Sequence, residues 1–177
     1  MTVRRFIMHK NNTRKYLKHS VCMCFILLLM ISTLTGCTPN PKNFSTTKIT
    51  ITLDDSFEQY KSDNFELYVK SDDVGFSAKE ETAQELELAG YEIMSLVDYA
   101  NEILALNGSK DIKLLQRDDY YYFVTTQTAN GAKYSYIHCM FEGDNSFWVC
   151  QFVFKSKDHK RLAEDVFNWA DSIVITK

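Results

Sequence analysis

The sequence predicts an α+β domain in which an antiparallel sheet of about six strands has helices packed on both faces. Short β-rich runs, separated by turn residues such as Asn130 and Gly131, fill much of residues 112–154. Two further segments place apolar residues at helical spacing, one before these runs and one after them. Aromatic side chains occupy the even and the odd positions of residues 120–123, which point to opposite faces of the sheet. This indicates that both faces of the sheet are covered.

The elements that precede the strand-rich block follow from local patterns. Residues 49–53 alternate between apolar and polar side chains, as expected of a strand with one buried face. Residues 65–78 alternate on both sides of a Ser-Asp-Asp turn and predict a hairpin. Thr82 and Glu85 have the spacing of a capping box, and Gly90 can end the short helix that they begin.

Two longer helices flank the strand-rich block. Ser95 can cap the first, and the pair Asn107-Gly108 supplies a left-handed stop. Asp158 can cap the second, whose apolar side consists of Leu162, Val166, Trp169, Ala170 and Ile173. Between the helices we expect four strands, at residues 112–117, 120–127, 132–141 and 147–154.

This order of elements carries a resemblance to a known fold. With Phe167, Trp169, Ser172 and Ile173 in the closing helix, residues 49–175 resemble the PsbP-like α/β/α sandwich, named for an extrinsic subunit of photosystem II and found in small bacterial lipoproteins. The resemblance implies a binding or assembly-accessory role and supplies no motif that assigns a site residue by residue. The nuclear-transport-factor-two-like cone is a rival, but its helices precede most of its sheet.

The N-terminal segment has the composition of a secretory signal. Residues 1–36 contain six Lys and Arg residues and no Asp or Glu. Residues 21–34 form an apolar run that is short for a permanent membrane span, which needs about 20 residues. The run ends in a motif that resembles the lipobox of a bacterial lipoprotein signal and consists of Leu34, Thr35, Gly36 and Cys37.

The lipobox defines the expected organisation of the chain. We expect a signal peptide at residues 1–36, a lipidated Cys37 with a tether at residues 37–48, and a single domain at residues 49–177. Two acyl chains on Cys37 would hold the protein stably on the extracytoplasmic side of the cell membrane. An uncleaved signal anchor is the alternative.

The expected mature protein is strongly acidic. All 23 Asp and Glu residues follow residue 36, against 14 of the 20 Lys and Arg residues, which gives a formal charge of −9. Such a surface repels nucleic acid and anionic lipid headgroups. Nucleic acid is therefore excluded as a partner, and a protein or a small solute is expected instead.

No motif in the domain indicates catalysis, a cofactor or a metal. His138 and Cys139 are neighbours in one predicted strand, so their side chains point to opposite faces and cannot form a nucleophilic pair. Acidic pairs recur in the loops and consist of Asp54 and Asp55, Asp72 and Asp73, Asp118 and Asp119, and Glu142 and Asp144. Loop carboxylates of this kind suit turns and solubility; the alternatives are a cation site and an envelope hydrolase that uses them.

Two groups of residues remain as candidate sites. The first is an aromatic surface that could bind a peptide or glycan and consists of Tyr120, Tyr122, Tyr134, Tyr136 and Trp148. The second is a disulfide: if Phe141 pairs with Trp148, Cys139 faces Cys150 across a hairpin. In a non-hydrogen-bonded pair the two Cα atoms would lie about 4.5 Å apart. A slip of one residue would instead place the two thiols on different faces.

Replacing Cys37 with Ala tests the expected anchor. The Cys37→Ala protein should carry no lipid and remain unprocessed, because the thiol is the nucleophile that accepts the diacylglyceryl group. Metabolic labelling with radioactive palmitate, followed by gel electrophoresis, measures both effects. Cys22→Ala, within the leader, is the matched control and should be labelled normally. A labelled Cys37→Ala protein would disprove the assignment.

Overall fold

The computed structural model of the chain describes residues 40–92, 95–107 and 111–176. The lipobox-like motif at residues 34–37 and Gly108 of the expected helix stop lie outside these ranges. Within them, no helix is both long and apolar enough to cross a membrane.

In the described part of the chain, ten strands form two antiparallel sheets. The strands are β1 (Pro41–Ser45), β2 (Ile49–Asp54), β3 (Glu58–Tyr60), β4 (Leu67–Lys70), β5 (Val74–Thr82), β6 (Leu115–Arg117), β7 (Tyr120–Ala129), β8 (Ala132–Glu142), β9 (Ser146–Lys155) and β10 (Val174–Ile175). The larger sheet has the order β3-β4-β5-β9-β8-β7-β6, and the smaller has the order β1-β2-β10. The predicted α+β class is confirmed, but β2 belongs to a second sheet.

Three α-helices complete the fold in the described ranges. They are α1 (Ala83–Leu88), α2 (Leu96–Leu106) and α3 (His159–Asp171). The predicted capping box is present at α1, where Thr82 and Glu85 each bond the other's backbone N–H. Gly90 ends this helix with φ +85°, and the Tyr91 N–H donates to the Leu86 carbonyl at 3.0 Å. This is the Schellman geometry that favours glycine.

The caps of the longer helices are only partly as predicted. The Ser95 hydroxyl accepts a hydrogen bond from the Asp98 N–H and begins α2. Asn107, at the other end of α2, has φ −81° and is not left-handed. The predicted cap at Asp158 is wrong, because its side chain makes no capping bond. A 3₁₀ turn precedes α3, and the Asp158 carboxylate lies 3.7 Å from Arg161 instead.

The larger sheet buries its two faces against different elements. On the Trp148 face, which also carries Cys150 and Phe152, the smaller sheet and α3 close one core. On the His138 face, which also carries Phe123, α1 and α2 close a second core. The predicted placement of helices on both faces is confirmed, and each face follows from strand parity.

The expected tether is wrong from Pro41 onward. Residues 41–45 form β1, which pairs with β2 and buries Phe44. Pro41 lacks an N–H, but β1 is an edge strand, where proline is tolerated. The fold therefore begins upstream of the predicted boundary at Ile49.

The predicted Asn-Gly hairpin is confirmed. Asn130 and Gly131 have φ values of +50° and +76°, and Ala129 pairs with Ala132 across them. Positive φ at both central residues is the mark of a type I′ turn, whose twist matches that of the strands. This turn fixes the register of β7 against β8.

The cysteines of β8 and β9 lie directly opposite each other, as predicted, and both are buried free thiols in the structure. The predicted type of pair is wrong. The Gly143 N–H donates to the Ser146 carbonyl at 2.8 Å, so alternation along the ladder makes Cys139–Cys150 a hydrogen-bonded pair. The Cα atoms of such a pair are about 5.5 Å apart, which is within the range of disulfides.

We predict that these thiols are joined in protein recovered from the oxidising side of the membrane. Trypsin should release residues 134–155 as one peptide containing both cysteines. Without reduction its mass should be about 2 Da lower, and reduction should lower the thermal midpoint because a bridge restricts the unfolded chain. Cys150→Ser, treated identically, should show neither change. Alkylation of both thiols in the unfolded, unreduced wild type would contradict the bridge.

Candidate functional site

The predicted aromatic surface does not exist as a single surface, because its five residues lie on opposite faces of the sheet. Tyr120 and Trp148 are buried under the smaller sheet and α3, with 3% and 0% of their surface exposed. Tyr122 is half-buried and packs edge-on against Phe167 at 5.0 Å between ring centroids. These three residues are part of the core. Tyr134 and Tyr136 lie on the His138 face, where they remain half-buried.

Tyr120 also has a structural partner. Its hydroxyl donates a 2.9 Å hydrogen bond to Asp171 at the end of α3, and Arg117 lies 2.6 Å from the same carboxylate. Burial, in the first place, raises the pKa of Tyr120 well above its ordinary value. The phenol is therefore a neutral donor that joins α3 to the edge of the larger sheet.

An uncovered group of aromatic side chains lies on the His138 face. Helices α1 and α2 contact β5, β7 and β8, and tyrosines of the outer strands remain partly exposed beyond them. We call this region the tyrosine face and define it by Tyr60, Tyr68, Tyr134 and Tyr136. The Tyr60 and Tyr68 rings are 6.2 Å apart. Two of its four tyrosines were not among the predicted residues.

On the tyrosine face, aromatic side chains lie on either side of smaller side chains. Tyr68 on β4 and Tyr136 on β8 stand on either side of β5 and β9. Three strand spacings separate β4 from β8, a distance of about 14 Å. Between them lie Ser77, Gln151 and Val153, which share this face by their register. Aromatic rings beside amide and hydroxyl groups suit contact with a polypeptide or another polar chain molecule.

A cavity of about 310 Å³ opens beside α1 and α2 on the same face of the sheet. Its lining brings together three carboxylate side chains from β5, α1 and α2 with apolar side chains of both helices. We call it the acidic cavity, and the residues of its lining that matter most are Glu81, Glu85, Leu86, Tyr99, Glu102 and Ile103. No sequence pattern pointed to this cavity, since it depends on where α2 lies on the sheet.

Glu81 is the best-held carboxylate of the acidic cavity. The Tyr99 hydroxyl donates to one of its oxygens at 2.8 Å, and the Lys79 ammonium lies 2.7 Å from the other. Burial, and then the charge of Glu81, raise the pKa of Tyr99 well above its ordinary value. The bond to Glu81 raises the pKa of Lys79. The lining thus presents a neutral phenol, and the charged Lys79 ammonium is paired with Glu81.

A smaller cavity of about 220 Å³ continues from the acidic cavity toward the tyrosine face. Both cavities are lined by Lys79, Glu81 and Ile103, and the smaller one also reaches His138 and Gln151. A single depression therefore runs along α2 from one candidate region to the other.

His138 is a buried residue of this depression, with 2% of its surface exposed. Its Nε2 lies 3.0 Å from Thr125 Oγ1, and its Nδ1 lies 3.1 Å from Gln151 Nε2. With the Gln151 amide donating to Nδ1, the ring proton is on Nε2. Burial lowers the pKa of His138 to about 4. Cys139 points to the opposite core, where burial raises its pKa.

The acidic loop pairs are only partly brought together. Asp54 and Asp73 line one cavity of about 400 Å³, in which Arg161 lies 2.9 Å from Asp73. The pairs at residues 118–119 and 142–144 do not contribute to it. Among the described residues, no group of three or more His, Cys, Asp and Glu side chains is placed to hold a metal ion.

Comparison with known proteins gives only structural matches. No family model matches the chain, and no curated protein matches it either. Solved structures similar to it include a protein from Bacteroides thetaiotaomicron, with 12% identity and a TM-score of 0.52 over 77% of this chain and 48% of that one. The chain thus spans about half the length of that structure. At this identity the likeness shows a shared fold and nothing more.

Two other matches have lower TM-scores. Cyanobacterial PsbP from Synechocystis has 8% identity and a TM-score of 0.45, over 81% of this chain and 96% of that one. The Ran-binding protein Mog1p from Saccharomyces cerevisiae has 9% identity and a TM-score of 0.49, over 78% and 96%.

His138 should make the stability of the protein pH-dependent. Its pKa in the folded state is about 4, against about 6.5 when exposed, so the unfolded chain binds more protons between these values. The free energy of unfolding that the neutral His138 ring contributes is therefore fully present above pH 6.5 and is lost as the pH falls toward 4. Between pH 7 and pH 4.5 the wild type should lose about 2 kcal/mol more than His138→Gln.

Urea unfolding of the two proteins at a series of pH values measures this difference. The variant is the reference for every other group that titrates in the same range. Parallel curves for the wild type and His138→Gln would contradict the depressed pKa.

Proposed function

We propose that the protein is a lipid-anchored component of the bacterial cell envelope, which acts by binding a protein partner through the tyrosine face. The anchor is supported by the basic leader, the short apolar run and Cys37. A binding role rather than catalysis is supported by the form of the site, which is an open and partly aromatic surface.

The observation that carries this proposal is the unequal covering of the His138 face. Close to α2, the side chains of this face are buried, whereas the exposed fraction of Tyr60 at the far side is 40%. Aromatic residues with one polar end are common at protein interfaces, since they bury a large area at low entropic cost. A small solute is the alternative partner, and the cavities along α2 are where it would bind.

The proposal is tested by site-specific photocrosslinking in the native membrane. A benzophenone side chain placed at Tyr68 or Tyr136 should give an adduct of defined mass, because both positions face the partner. The same group at Lys160, an exposed residue of α3, is the matched control and should give none. Adducts from Lys160 equal to those from the tyrosine positions would contradict the assigned surface.

Alanine variants measure how much the tyrosine face contributes. Tyr68→Ala and Tyr136→Ala should each weaken the adduct-forming interaction about tenfold, as buried interface aromatics typically do. Both positions are only half-buried in the free protein, so the fold should tolerate the changes, and thermal unfolding checks this. Unchanged affinity in the double variant would overturn the proposal.

A further inference from the structure

We propose that the acidic cavity binds a small organic cation with an apolar body, such as a protonated arylalkylamine. The inference concerns a different site from the tyrosine face and does not depend on the proposed partner. It rests on the charges, the apolar walls and the size of the cavity.

The carboxylates of the cavity come from three separate elements. Glu81 is on β5, Glu85 is on α1 and Glu102 is on α2, and all three line the same space. Of the described residues in the lining, Lys79 is the only basic one, and it is paired with Glu81. The described lining therefore has a formal charge of −2, which attracts a cation and repels an anion.

This charge pattern persists at neutral pH. Hydrogen bonds from the Thr82 backbone and hydroxyl lower the pKa of Glu85, so its carboxylate stays ionised. Burial keeps the Tyr99 phenol neutral. A cation in the cavity thus meets the carboxylates of the lining and an uncharged phenol.

The apolar part of the lining selects the body of the ligand. Leu86 and Tyr99 are 8% and 1% exposed, and Ile103 lies beside them on α2. An aromatic face near a cation also adds attraction of its own. At about 310 Å³, the cavity is at the small end of ligand pockets, which favours a molecule with one aromatic ring over a long chain.

The direct test compares three probes of similar size and different charge. Phenethylamine, 2-phenylethanol and phenylacetate are titrated into the full-length chain in a nonionic detergent. Methyl NMR of Ile103 and Leu106 reports the binding, since both residues line the cavity. We expect the amine to bind about five- to tenfold more tightly than the alcohol, and the carboxylate to bind most weakly.

Charge variants distinguish binding of the amine in the cavity from general attraction of a cation to an acidic protein. Glu102→Gln should weaken amine binding about two- to fivefold, whereas Lys79→Gln should tighten it by a similar factor. Glu87→Gln is the matched control, because Glu87 is on α1 but does not line the cavity. All three residues have exposed or half-exposed side chains, and thermal unfolding verifies that each variant is folded.

Three outcomes would overturn the proposal. Equal binding of the amine and the alcohol would make the cavity a purely apolar site, such as a socket for an aliphatic side chain. Equal losses in Glu102→Gln and Glu87→Gln would reveal nonspecific attraction. Amine binding that leaves the Ile103 and Leu106 methyl signals unchanged would place the cation outside the cavity. None of these outcomes bears on the proposed partner of the tyrosine face.

Discussion

The position of β9 between β5 and β8 is the constraint on which the rest of the structure depends. All three strands pair antiparallel without a break in register, so the parity of β9 determines what each face of the sheet presents. Trp148, Cys150 and Phe152 go to one core, and Gln151 goes to the other face. A slip of one residue would exchange these sets and bury the amide among apolar groups. The three-residue connection between β8 and β9 makes such a slip costly.

The smaller sheet joins distant parts of the chain on the Trp148 face. β10 follows α3 directly and pairs with β2 from the start of the fold. Ser172 strengthens this junction, since its hydroxyl accepts from the Thr52 N–H at 3.0 Å and lies 3.1 Å from the Thr52 carbonyl. Phe57 packs edge-on against Trp169 at 5.1 Å beside it. The centre of the Trp148 face is thus buried, whereas the proposed binding surface lies on the other face.

Local signals predicted the fold well, and long-range placement limited the prediction of the site. Residues close together in the sequence determine the Asn130-Gly131 turn, the Thr82 capping box and the helical spacing of the apolar residues in α2. β1 and β10 depend on pairing with β2, and their own sequences carry no strong period. Parity separates Tyr120 from Tyr121, but it does not tell which parts of a face the helices cover. For that reason the sequence pattern places Trp148 on a surface, although the structure buries it, and does not single out Tyr68.

The short outer strands of the larger sheet have a consequence for crowding. β3 and β6 contain three residues each, and β6 pairs only with residues 120–122 of β7, so among the described strands none pairs with the outer side of residues 123–129. Long, flat edges are templates for edge-to-edge aggregation, and natural sheets commonly avoid them with short outer strands. Proteins held at a bilayer diffuse in two dimensions and meet one another often. If the protein is anchored as proposed, the uncovered length of β7 is the edge at which two crowded copies would pair, whereas the short β3 limits pairing at the opposite edge.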